Sequence, residues 1–106
     1  MAETIFALAS APGRAGVALV RVSGAAAGRA VEALTGKPCP APRQAVLRRF
    51  ADKKAAIDSG LLLWFPAPAS FTGEDVAEFQ VHVGRAVTEA LFHALGRLRG
   101  QRRGEP

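Results

Sequence analysis

The stretch from Phe65 to Gly84 constrains the fold more than any other part of the chain. It leaves an apolar strand ending Leu61-Leu62-Leu63-Trp64-Phe65, crosses a loop, enters an alternating strand and then starts a helix. The loop carries Pro66 and Pro68 and closes on Gly73, so it is a defined turn rather than a tether. From Asp75 to His82 the alternation puts Val76, Glu78, Gln80 and His82 on one face and Asp75, Ala77, Phe79 and Val81 on the other. Ala77, Phe79 and Val81 make a core-facing side, which leaves Glu78, Gln80 and His82 towards solvent or a cleft. Glu74, Asp75 and Glu78, followed by His82, are a density of polar groups on which a site could be built. Hydration and capping alone would account for them equally well.

Ahead of this stretch, Thr4 to Ser10 reads as a strand apolar on both faces, expected to be central or covered. Ala11-Pro12-Gly13-Arg14-Ala15-Gly16 breaks it, either as a tight hairpin or as a loop approaching a ligand. Val17 to Ser23 is a second strand, with Val17, Leu19, Arg21 and Ser23 on one face and Ala18, Val20 and Val22 on the other. Arg21 therefore sits among apolar neighbours. It is either a snorkelling or paired cation at the sheet margin or one placed to meet an anionic ligand or a carboxylate such as Glu78.

A helix is expected from Ala25 to about Leu34, stopped by Gly36. Gly36-Lys37 is not a P-loop: Val31 stands where the first glycine is needed and Pro38 where Ser or Thr is needed. Arg43 to Phe50 is an edge strand, Asp52-Lys53-Lys54 a polar turn, and Ile57 to Phe65 a further strand, with Asp58-Ser59-Gly60 marking a bulge or its start. The last helix, Gly84 to about Leu98, stripes Val87, Leu91, Leu95 and Leu98, with Ala90 and Ala94 beside them. The order β-β-α-β-β-β-α predicts an α+β domain: a five-stranded sheet, mostly antiparallel or mixed, with two helices on one face.

Charge and composition narrow the function classes. An apolar fraction of 49% excludes wholesale disorder, and 106 residues hold one core at most. The formal charge is +5, of which residues 1–96 carry +2 and residues 97–106 carry +3. The chain divides accordingly into a domain over 1–96 and a basic tail over 97–106, where arginines are either solvated or in reach of phosphates. Cys39, the single cysteine, has no partner for a disulfide or a zinc pair, so no metal site is expected. Ile5 to Ala9 is too short for a signal peptide and is flanked by Glu3, and nothing approaches a membrane span, so the expected location is cytoplasmic.

Gly13-Arg14-Ala15-Gly16-Val17, Arg21-Val22-Ser23-Gly24 and the run from Phe65-Pro66 through Ser70-Phe71-Thr72-Gly73-Glu74-Asp75-Val76 to Glu78 closely resemble the N-terminal domain of the MnmE (TrmE) family of tRNA-modification GTPases. The likeness covers essentially the whole chain in order. It implies a domain similar to tetrahydrofolate-binding domains, which dimerises and binds a 5-formyl-tetrahydrofolate-type cofactor as one-carbon donor. It also implies an MnmG-like partner and tRNA reached through the complex. Two of the family's folate contacts fall on Arg21 and Glu78; the third, a lysine, lies beyond this chain's end. No catalytic residue is assigned. The expectation is a truncated module without the helical and GTPase domains, not a complete enzyme, with reduced folate affinity. The alternative is an interaction-only dimerisation or docking module, or a non-functional fragment, that binds no folate. The family's His-Gly-Gly is here His82-Val83-Gly84, and Ala15 replaces a glycine of the loop.

Overall fold

The computed structural model describes residues 4–9, 16–70, 72–98 and 101–104, so Ser10 at the end of the expected first strand, residues 11–15 of the expected 11–16 loop, and Phe71 lie outside the described residues, as do the side chains of 101–103. The strands are β1 (Thr4–Leu8), β2 (Val17–Ser23), β3 (Val46–Asp52), β4 (Ala55–Phe65), β5 (Val76–His82) and β6 (Gln101–Arg103); the helices are α1 (Ala27–Thr35) and α2 (Arg85–Gly96). They form one sheet in the order β3-β4-β5-β2-β1-β6, antiparallel throughout except that β6 runs parallel to β1. This is the expected α+β architecture with one strand added.

Both helices cover the same face. Ala18, Val20 and Val22 of β2, Ala77, Phe79 and Val81 of β5, Phe50, Leu62 and Phe6 meet Ala27, Ala30, Val31 and Leu34 of α1 and Leu91, Phe92, Ala94 and Leu95 of α2 in one buried core. Period-two positions of the strands and period-3.6 positions of the helices thus supply the two sides. Phe50 and Phe79 pack edge to face with centroids 5.2 Å apart.

Several expectations are corrected. The first strand is covered on one face only: Thr4 and Phe6 are buried, while Ile5 is exposed on the other side. Helix α1 starts two residues later than expected because Gly24, at φ 139°, and the buried Thr4 shape its entry. The Thr4 hydroxyl accepts the Ala26 N–H at 2.7 Å, and a Cβ on Gly24 would sit 2.5 Å from Thr4 atoms. Gly36 does stop the helix, at φ 71° with its N–H on Glu32 O.

The bulge lies in β4: Phe50 pairs with Asp58 and Ala51 with Ala56, which leaves Ile57 as the extra residue, directly ahead of Asp58-Ser59-Gly60. Gly60 is glycine for another reason: a Cβ there would come within 1.9 Å of Gln80 O across the sheet. In α2, Phe92 is buried and Ala90 exposed, so the stripe is rotated towards β1, where Phe92 meets Phe6 at 5.5 Å. The basic C-terminal segment is not wholly a solvated tail. Residues 101–103 extend the sheet, and Gly104 N–H continues the pairing onto Phe6 O at 2.8 Å. No helix among the described residues is long and apolar enough to cross a membrane.

Candidate functional site

The sheet face turned away from the helices holds the expected site residues. On it, β5 lies between β2 and β4 in a fixed register: Glu78 stands opposite Arg21 on one side and Leu63 on the other, Gln80 opposite Leu19 and Leu61, His82 opposite Val17. Register and alternation together therefore bring Arg21 and Glu78 into contact, although 57 positions separate them. Arg21 donates from Nε at 3.0 Å and from Nη2 at 2.7 Å, both to Oε2 of Glu78. No hydrogen bond from the described residues reaches Oε1.

Of the two settings expected from alternation, solvent or a cleft, Glu78 does not have the open one, since it is only 7% exposed. Its neighbours explain the burial. Arg21 lies over it from β2, Leu63 flanks it from β4, and Val76, one step along the same face, is itself fully buried. Near that end the loop over 66–75 is held down by its own polar groups. Thr72 Oγ1 meets Ser23 Oγ at 2.8 Å, Asp75 Oδ1 accepts the Ala67 N–H at 2.8 Å, and Ser70 Oγ donates to Glu74 O. The three acids thus separate: Glu78 pairs with Arg21, Asp75 closes the loop, and Glu74 joins neither contact. Among the described residues no three His, Cys, Asp or Glu side chains come together as a metal-ligand set.

His82 has a partner that its own strand did not reveal. Asp58 of β4 accepts the His82 backbone N–H at 2.7 Å, and its two oxygens lie 3.0 and 3.1 Å from Nδ1. In the neutral ring this places the proton on Nδ1 and leaves Nε2 as an acceptor. Burial works to raise the Asp58 pKa, but the His82 N–H, the imidazole and the Ser59 N–H outweigh it and hold the carboxyl below its ordinary range. From the sequence Asp58 has a place only in a bulge or a strand start. Its signal is the pairing register, which places the end of β5 beside the beginning of β4.

Cys39 is a different kind of group. It packs on the core beside Trp64, and burial first, then the charges of Glu32 and Asp75, push its thiol up. A thiol so protonated is a poor nucleophile at neutral pH.

The open face is also more apolar than a solvated face requires. Leu47 and Leu61 stand opposite each other on β3 and β4, 71% and 37% exposed, with half-buried Leu19 and Leu63 alongside. The sequence signal for this patch was apolar residues on both faces of β2 and of the Leu61–Phe65 run.

Residues 4–106 match the family described as GTP-binding protein TrmE N-terminus. The chain is 59% identical over 107 residues to a tRNA modification GTPase MnmE of Paramagnetospirillum magneticum, the match spanning 100% of this chain and 24% of that protein. A protein of the same name from Parvibaculum lavamentivorans is 56% identical over 106 residues, 98% of this chain and 24% of its own. The mitochondrial 5-taurinomethyluridine-[tRNA] synthase subunit GTPB3 of Danio rerio is 52% identical over 105 residues, 97% of this chain and 21% of its own. The chain thus spans about a quarter of the length of the relatives it matches.

Proposed function

The chain belongs to the TrmE N-terminal family of tRNA-modification GTPases, and on that footing we propose that it binds a reduced folate of the 5-formyl-tetrahydrofolate type and pairs with a second copy of itself. The observation that carries the folate reading is the Arg21–Glu78 pair on the open sheet face. Both arginine bonds end on Oε2, so the carboxylate is fixed in orientation while Oε1 stays available to accept an N–H from the amino-pyrimidine edge of a pterin. Leu19, Leu61 and Leu63 border the pair and suit the faces of a flat ring. The residues present therefore fit such a group. When bound, the folate supplies a one-carbon unit; the residues of this chain bind and orient it.

Dimerisation is supported by the exposed Leu47 and Leu61, an apolar surface that a second subunit would remove from water. The same proposal includes an MnmG-like partner, tRNA approached through that complex, and a cytoplasmic location. GTP hydrolysis is no part of it, since Gly36-Lys37 lies outside any P-loop pattern.

A calorimetric titration of the protein with 5-formyl-tetrahydrofolate tests the reading, run beside Arg21→Ala and Glu78→Ala with folding checked by circular dichroism. Saturable binding lost in both variants is expected. An intact protein that sediments as a dimer yet gives no heat with folate would replace this reading with the interaction-only one, which the leucine patch favours.

A further inference from the structure

Beside the Arg21–Glu78 pair, the open face carries a polar side chain that hydrogen-bonds none of the described residues. Gln80 is half-buried, and its amide makes no hydrogen bond with the described residues. It stands in register between Leu19 and Leu61, two apolar side chains that offer an amide no hydrogen bond. The pairing of β5 is complete without it, since the backbone of Gln80 is already set against β2 and β4. By contrast His82, the next residue along the same face, is tied to Asp58, and Glu78, the previous one, to Arg21. Gln80 therefore interrupts the leucines with a donor and an acceptor that none of the described residues uses.

Its spacing gives that amide an object. Residues two apart on one strand face are about 6.8 Å apart, so the Glu78 carboxylate and the Gln80 amide border a strip as wide as a fused two-ring heterocycle. Leu19 and Leu61 lie on either side of the strip. An amide presents donor and acceptor side by side, the complement of a ring edge that carries both an acceptor and an N–H.

We infer that Gln80 is a specificity-determining residue of the folate site, hydrogen-bonding the edge of the heterocycle next to the part held by Glu78. The inference rests on the folate reading above. Gln80 contacts the ring rather than the aminobenzoyl-glutamate portion, because it is the next residue on the strand face that carries Glu78 and is bordered by Leu19 and Leu61 on the adjacent strands. A ligand that lacks that second portion depends on it equally.

The test titrates the wild-type protein and Gln80→Leu with 5-formyl-tetrahydrofolate and, separately, with tetrahydropterin, which is the ring head alone. Leucine keeps the volume and removes the hydrogen bonds. Loss of one or two neutral hydrogen bonds predicts affinity about five- to tenfold weaker for both probes, with unchanged circular dichroism and an unchanged sedimentation profile. Binding of tetrahydropterin within twofold of wild type overturns the inference, whether or not the full folate is weakened. A variant whose only change is a shifted monomer–dimer equilibrium overturns it too, and assigns Gln80 to a protein interface. Absence of binding by the wild-type protein is a separate result: it removes the folate reading itself, and this inference with it.

Discussion

The two faces of the sheet are built from the same strands and obey different rules. The helix-covered face is closed: Val20, Val22, Phe50, Leu62 and Phe79 are buried to the last few square ångströms, and each touches a helix or another strand residue of the core. The open face mixes leucines with an ion pair, an amide that hydrogen-bonds no described residue and an Asp–His contact, and its leucines, unlike Val76, remain in reach of water. A chain of this size cannot close two cores, so one face carries stability and the other is left to carry recognition. Apolar residues on the second face are then a cost to the monomer, and the chemistry placed among them says what offsets it.

The sharpest way to break this contrast is to cut the closed face. Phe79→Ala removes a fully buried ring that packs against Phe50, and a loss of about 3–5 kcal/mol is expected from denaturant unfolding. For a domain of this length that is a large part of the total. A loss below about 1 kcal/mol would mean the helix-covered face is not where stability resides.

Next in size is an asymmetry inside the ion pair. The Glu78 side chain is 9% exposed and that of Arg21 33%. Arg21→Ala strands a nearly buried carboxylate without its two donors, whereas Glu78→Ala leaves a guanidinium that can turn to water. Arg21→Ala is therefore expected to cost about 2 kcal/mol in unfolding and Glu78→Ala about half that. The reverse order would place the burial penalty on the arginine and weaken the account of Oε1 as the open acceptor.

How much of this was legible beforehand depends on the kind of information each feature needs. Alternation is local, so Arg21 and Glu78 could be assigned to faces, and Ala77, Phe79 and Val81 to the core, from spacing alone. Contact between Arg21 and Glu78 needed the β2–β5 register, and the Asp58–His82 contact needed that of β4 with β5, which no local pattern prints. Asp58-Ser59-Gly60 reads from the sequence as a bulge or a strand start; the bulge is at the adjoining Ile57, and Gly60 itself answers to the Gln80 carbonyl, which lies on another strand. Strand β6 was invisible for a similar reason. Gln101-Arg102-Arg103 has no apolar alternation, and only the free edge of β1 makes it a strand. The exposed Ala90 and buried Phe92 record the angle at which α2 crosses the sheet, a tertiary quantity.

A smaller effect separates the two ends of the polar strip. Asp58 has its folded pKa lowered by His82 and Ser59, so its contribution to stability is present above the unfolded value of about 4 and lost as pH falls through the folded one. Unfolding free energy should therefore fall more steeply between about pH 5 and pH 3 in the wild type than in Asp58→Asn. At neutral pH the variant is expected to be about 1 kcal/mol less stable, having exchanged a charged acceptor for a neutral one. Parallel pH profiles for the two proteins would show that Asp58 titrates alike folded and unfolded, and that the contact orients the imidazole without stabilising the fold.

The smallest effect on stability is expected where the contrast matters most. Leu47 and Leu61 face each other across β3 and β4, 71% and 37% exposed, so Leu47→Ser should change monomer unfolding by no more than about 0.5 kcal/mol and Leu61→Ser, which is more covered, by about 1 kcal/mol at most. If these leucines lie in a dimer interface, the same changes should shift sedimentation towards the monomer by several-fold in the dissociation constant, because each removes apolar area buried only on association. A protein that stays equally associated in both variants would move the interface elsewhere on the open face and leave these side chains to a different partner. A protein that unfolds instead would show that this edge of the sheet contributes to the closed core. The division of labour between the two faces would then be false at its margin.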